Sequence, residues 1–255
     1  MKKIFFSAAL FFCALLLLSC KETALPADAI VMAETEDTDT DASTSSPQTE
    51  EAVSKTAPAS TDEVWLDVEN ILQMPQLPNG CEIVSLAIVL QYMFETEIDP
   101  VWLSDNYLPK GTPGQADPEY TYVGDPKGYG FGCYVPCLQM AAIRYLVDTG
   151  IRDYTAKDIS GSSMGELEEW VAEGTPVIMW ATVNMEPTVV AQEWTIWGQT
   201  VRWYSGSHCV VLSGYTEDTS IICDPLRGVI EYDRQDVIEA YRLVGERAMV
   251  LYQPR

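Results

Sequence analysis

An α+β domain with an antiparallel sheet is the fold class that this 255-residue sequence predicts, on two observations. Apolar residues recur at helical spacing in the first half of the region after Trp65. β-type apolar runs, bounded by polar turn residues, fill the second half. Helices followed by strands is the order of an α+β architecture.

The first helix falls on NGCEIVSLAIVLQYMF. There Ile83, Leu86 or Ala87, Leu90, and Met93 or Phe94 recur at helical spacing, and Asn79-Gly80 is the start signal. Cys81 therefore sits in the first turn. A second helix begins near Pro136 and runs through CLQMAAIRYLVD to Gly150. A third starts at the capping box Ser163-x-x-Glu166 and stops at Gly174. TPVIMWATV then reads as an apolar strand, and EWTIWGQTVRWY as two strands around Gly198-Gln199. HCVVLSGY and SIICDP are strands joined by the polar turn TEDT. A short helix near Arg234–Val244 and a last strand, AMVLYQ, end the chain.

The charge balance narrows the function classes. Thirty-eight acidic residues against fifteen basic ones give a formal charge of −23. Such a surface repels phosphate backbones, which excludes nucleic acid as a partner class, and it disfavours tight approach to anionic lipid. A membrane link is then expected to be covalent or through a spanning helix. The chain opens MKKIFFSAALFFCALLLLSC, two lysines before an apolar run from Ile4 to Leu18 that is short for a membrane span. This is the layout of an export leader. Its ending, Leu17 to Cys20, resembles the bacterial lipobox, which implies cleavage before Cys20 and diacylglycerol on its thiol. The alternative is an ordinary secretory leader with Cys20 incidental. From Lys21 to Glu63 there are eleven acids, two lysines and no aromatic residue. Such a stretch cannot bury enough apolar area to offset its ordering entropy and reads as a disordered spacer. The chain thus divides into a signal peptide (1–19), a lipidated cysteine with acidic spacer (20–63) and one folded domain (64–255). An extracytoplasmic monomer, lipid-anchored to the membrane, is expected.

His208 is the only histidine. If HCVVLSGY and SIICDP form a hairpin turning near Thr216 or Glu217, His208 and Asp224 lie at or near opposite positions on one face. Cys209 and Cys223 then oppose each other on the other face. A slip of one residue would separate His208 from Asp224. Pro225 favours extended backbone at Asp224. A carboxylate beside the imidazole fixes its tautomer and stabilises its protonated form. A base so oriented needs a nucleophile, and Cys81 is the best candidate. Helix-end amides and a nearby imidazolium both lower a thiol pKa, giving the thiolate–imidazolium pair of cysteine acyl-transfer enzymes. The Cys81 amide and an upstream glutamine side chain are candidate oxyanion donors.

Four blocks carry a family resemblance: LQMPQLPNGCEIVSLAIVLQY, VGDPKGYGFGCYVP, GTPVIMWATV and HCVVLSGYTEDTSIICDPL. In this order, over nearly the whole chain after Trp65, they resemble the C39-like peptidase domains of bacterial exported proteins, whose fold is papain-like. The resemblance implies Cys81 as nucleophile, His208 as general base and acid, and Asp224 as the orienting residue. It implies Gln73 as the oxyanion-hole glutamine, with Gln76 as a rival. It further implies a peptide or protein substrate hydrolysed through an acyl-enzyme, without a cofactor. The better-known C39 peptidases belong to peptide exporters and cut at double-glycine leaders in the cytosol. This sequence has an export leader instead of transporter segments, so only the chemistry carries over. Hydrolysis of wall-peptide amides and inactive peptide binding are the alternatives.

The stretch KGTPGQADPEYTYVGDPKGYGFGCYVP lacks the Gly-Lys-Ser/Thr ending of a phosphate loop. Its Tyr120, Tyr122, Tyr129, Phe131 and Tyr134 either wall a substrate groove or hold the loop down. Tyr129, Phe131 and Tyr134 are the substrate-binding candidates. Trp194, Trp197 and Trp203 read as core and hairpin packing. Cys133-x₃-Cys137 has no matching second pair, which speaks against structural zinc. Outside the cytosol Cys209–Cys223 and Cys133–Cys137 are possible disulfides, against four reduced packing thiols. Mass spectrometry of the mature N-terminus is expected to find lipid on Cys20, and an unmodified terminus elsewhere would remove the anchor.

Overall fold

The structure is a computed structural model that describes residues 63–254. The leader, Cys20 and nearly all of the spacer lie outside the described residues. Helix α1 (Cys81–Phe94) is buried on all sides from Glu82 to Leu90. A helix apolar all round is the kind that sits inside a core. The apolar spacing predicts one buried stripe, but α1 is enclosed by the sheet and by helices α2 (Pro100–Tyr107) and α3 (Val135–Asp148). Helix α2 is not predicted by the periodicity, being short and burying only Leu103, Ser104 and Tyr107. Its start signal is nonetheless in the sequence. Asp99 Oδ1 accepts from Val101 N–H at 2.8 Å, and Pro100 fills a first-turn position.

The main sheet has seven strands. Its order is β11 (Gly228–Asp233), β10 (Thr219–Asp224), β9 (Ser207–Tyr215), β6 (Val177–Thr182), β12 (Ala248–Tyr252) and β5 (Thr155–Asp158), with β1 (Val64–Trp65) also on β9. All its pairings are antiparallel. Ile178, Trp180, Cys209, Val211 and Leu251 pack with α1 and α3. Their alternating neighbours Val177, Met179, Val210, Leu212 and Val250 pack with α4 (Met164–Ala172) and α5 (Arg234–Leu243). The sheet is thus covered on both faces, which is why its central strands read as unbroken apolar runs. Helix α4 has the predicted capping box, and Gly174 follows it at φ 86°.

Two small sheets flank this body. One joins β2 (Lys110–Gly111), β3 (Tyr122–Gly124) and β4 (Gly130–Gly132); the other is the hairpin β7 (Val190–Ile196) with β8 (Gln199–Tyr204). The hairpin turns at Trp197-Gly198, one residue earlier than predicted. Both residues have positive φ, as a two-residue turn of this kind requires. Trp197 is 82% exposed there instead of packed.

The β9–β10 register decides the site. Ser220 and Ile221 face Tyr215 and Gly214, but Ile222 and Cys223 face Leu212 and Val211, so Ser213 is an extra residue, a bulge. Continued to the strand end, this register sets Asp224 beside Val210, two residues from His208 and on the same face. Were the same residues paired in unbroken register from Tyr215 and Ser220, Asp224 would face Val211 and point to the other side. The predicted register is therefore two residues out, and Cys223 faces Val211 rather than Cys209. Asp99→Ala is expected to lower stability by about 1 kcal/mol in urea unfolding, with Asp99→Asn close to wild type.

Candidate active site

The start of β9 and the end of β10 adjoin, and each supplies one side chain. His208 Nε2 and Asp224 Oδ1 are 2.7 Å apart, both buried. Asp224 Oδ1 also accepts Leu226 N–H at 2.7 Å. Burial pushes the Asp224 carboxyl up, but the hydrogen bond and charge of His208, then Leu226 N–H and Arg227, outweigh it and hold the group below its ordinary value. With Nε2 facing the carboxylate, Nδ1 is the ring nitrogen left for acid–base work.

Cys81 is the first residue of α1 and half-buried. Its N–H is among the helix-end donors that have no intrahelical acceptor. One turn on, Ser85 Oγ donates to Cys209 O at 3.1 Å, fastening α1 to β9 next to His208. The Cys209 backbone also hydrogen-bonds the Cys81 sulfur and favours its thiolate. That influence is outweighed. Burial first, then the Glu82 charge, push the Cys81 thiol above its ordinary pKa. The lowered thiol pKa expected from the sequence is therefore not the resting condition, because burial and, after it, the adjacent Glu82 carboxylate prevail over the Cys209 hydrogen bond.

Glu82 is the site residue that sequence reasoning passes over. It is 2% exposed; Oε1 accepts Cys133 N–H at 2.9 Å and Oε2 accepts the Cys81 Sγ–H at 3.4 Å. Burial pushes its carboxyl up to about 7, against the hydrogen bonds it accepts. Cys133 is fixed in turn by Trp180 Nε1, which donates to its carbonyl at 2.9 Å. Gly132, at φ 143°, leaves the room: a Cβ there would lie 2.2 Å from Glu82 Oε1 and 2.6 Å from the Trp203 ring. The available signal is that Glu82 is the only charge in CEIVSLAIVL.

The two glutamines separate. Gln73 is buried and Gln76 is exposed. Gln73 N–H donates to Pro225 O at 2.8 Å, beside Asp224, and its Nε2 donates to Pro78 O at 2.8 Å. An amide nitrogen has two hydrogens, so one donor remains. The glycine-rich loop is tied to the residues before Cys81: the Tyr122 hydroxyl donates to Asn79 O, and Asn79 Nδ2 donates to Gly128 O at 2.5 Å. The three substrate-binding candidates part company. Tyr129 is 71% exposed, Phe131 stacks on Trp194 with ring centres 5.9 Å apart, and Tyr134 is buried. Tyr134 stacks on Trp203 at 5.4 Å and lies under the Arg247 guanidinium, so it belongs to the packing and not to an open wall. All five described cysteines are free thiols, so neither disulfide is formed. Among the described residues no cluster of three or more His, Cys, Asp or Glu side chains could hold a metal.

The model of the Peptidase_C39 like family matches residues 65–249. The chain belongs to the C39-like peptidase family. The match runs from β1 into β12 and so spans the described fold. The uncharacterized protein YvpB of Bacillus subtilis strain 168 is 28% identical over 192 residues, covering 71% of this chain and 72% of YvpB. A crystal structure from Bacillus anthracis, classed as a C39-like peptidase, superposes with a TM-score of 0.67 at 28% identity. It covers 76% of this chain and 98% of the Bacillus anthracis chain. In this chain the helix-start cysteine meets the Cys209 backbone, one residue along β9 from the His208–Asp224 pair.

The raised Glu82 pKa has a stability consequence with a definite sign. Its folded pKa lies above the unfolded value, so its contribution is complete below about 4.5 and is lost as pH rises through about 7. Relative to Glu82→Gln, the wild type is expected to lose about 3 kcal/mol of unfolding free energy across that window. Denaturant titrations at several pH values measure it.

Proposed function

We propose that this C39-like chain is an extracytoplasmic cysteine peptidase, tethered to the membrane by lipid on Cys20, that hydrolyses peptide bonds through an acyl-enzyme. The observation that carries the reading is the buried His208–Asp224 pair at 2.7 Å, one residue from the Cys209 backbone against which the Cys81 sulfur rests. Family membership supports the same assignment. The tether rests on the lipobox-like Leu17–Cys20 and on the composition of the spacer.

In this reading His208 Nδ1 takes the Cys81 thiol proton, and Sγ attacks the carbonyl carbon of the substrate. Asp224 keeps the proton on Nε2 and stabilises the imidazolium. The developing oxyanion accepts from the Cys81 N–H and the remaining Gln73 amide hydrogen. Collapse breaks the C–N bond, and the imidazolium gives its proton to the leaving amine. Water, deprotonated by His208, then attacks the thioester; the acid leaves and the thiol is restored. The substrate is a peptide or protein, nucleic acid being unsuited to so acidic a chain.

A digest of an unbiased peptide library tests this. The wild type is expected to give a defined set of cuts that vanish in Cys81→Ala and fall by about a thousandfold or more in His208→Ala. Identical product patterns from wild type and Cys81→Ala would leave the chain a peptide-binding module without hydrolytic chemistry.

A further inference from the structure

Glu82 has no part in the steps above, yet no polar side chain is held closer to the sulfur. Its two oxygens join two elements: Oε1 takes the Cys133 N–H at the start of α3, and Oε2 takes the thiol hydrogen of Cys81. The space it fills exists because Gly132 has no side chain. A buried carboxyl with no basic partner is costly to keep, so its location against a sulfur calls for a use. We propose that Glu82 is a positioning residue and a proton-operated latch on Cys81, holding it as the neutral thiol while a carboxylate and releasing it when protonated. This deepens the reading of Cys81 as nucleophile and rests on it.

The protons balance as follows. In the latched form the group is thiol, carboxylate and neutral imidazole, with S–H donating to Oε2. One proton from solvent converts the carboxylate to the acid. The thiol proton then passes to His208 Nδ1, leaving a thiolate that accepts from the Glu82 O–H, so the hydrogen bond reverses direction. No further proton enters in that second step.

The surroundings suit this. Facing Glu82 are Cys81 from α1, Tyr122 from β3, Cys133 and Tyr134 at the start of α3, and Cys209 from β9, with His208 next to Cys209. Burial pushes the thiols of Cys133 and Cys209 and the phenols of Tyr122 and Tyr134 up, so none of them supplies charge near neutrality. Nor does any Lys or Arg contribute to holding the Glu82 carboxylate. The carboxyl, raised to about 7, thus changes charge in the neutral range.

The test is the rate of Cys81 alkylation by iodoacetamide from acid to alkaline pH, followed by peptide mapping, in the full folded chain. Glu82→Gln keeps an oxygen for Cys133 N–H and offers an N–H to the sulfur, imitating the protonated latch. At neutral pH it is expected to react about tenfold faster than wild type or more, its thiol pKa being lowered, and to lose the inflection near 7. A profile that superimposes on wild type, or is slower at every pH, would overturn the proposal. A second measurement needs no substitution. Capping Cys81 as a methyl disulfide removes the S–H donor, so the Glu82 titration, read from the infrared band of its protonated carboxyl, should move upward. An unmoved titration overturns the proposal equally. Neither readout involves peptide cleavage. A chain that cuts nothing yet shows this dependence would sink the peptidase reading alone, and an active peptidase with an unaltered thiol profile would sink the latch alone.

Discussion

The N-terminal turn of α1 is fastened to the first residues of β9 by the Ser85–Cys209 hydrogen bond, and the site is arranged around that contact. On the helix side it fixes where Cys81 starts. On the strand side it fixes the backbone that carries His208. Helix α1 can reach so far into the protein because it is apolar on every side, with α2 and α3 closing over the face the sheet leaves open. The burial that stabilises this arrangement also raises the cost of charge within it. Both Cys81 and Glu82 consequently have pKa values displaced upward.

Nucleophile and carboxylate pair are held by different kinds of structure. His208 and Asp224 sit on paired strands, where register is set by a ladder of backbone hydrogen bonds and by two packed faces. Cys81 and Gln73 sit where a loop enters a helix, and hydrogen bonds outside any ladder hold that loop from two directions. Tyr122 and Asn79 tie it to the glycine-rich loop, and Gln73 ties it to Pro225. The second group is the more adjustable, since its ties are few and none belongs to a ladder.

Much of this was legible in the residues. Apolar runs with polar turns located the central strands, and a capping box located α4 to within a residue. Cys81 at a helix start and Asp224 before a proline were readable because Asn79-Gly80 is a start signal and Pro225 restricts the residue before it. Three features were not. Helix α2 buries too few residues to show a period. The Ser213 bulge breaks alternation inside a run where every residue is buried, so the hydrophobic pattern does not register it. Glu82 looks ordinary in sequence, because an acid in the first turn of a helix suits the helix dipole. Only the fold reveals that this carboxyl points inward to a sulfur.

The surplus residue at Ser213 shows that strand register, and not residue identity alone, controls this chemistry. Loss of Ser213 itself would leave a regular ladder with Asp224 still beside Val210, whereas one residue gained or lost that no bulge absorbs would turn the carboxylate to the other face. Among related sequences, the spacing between the histidine and the aspartate is therefore informative only together with the place of the bulge. A homologue one residue shorter in that arm keeps its base connected where the missing position is the bulge, and loses the connection where the ladder has to slip.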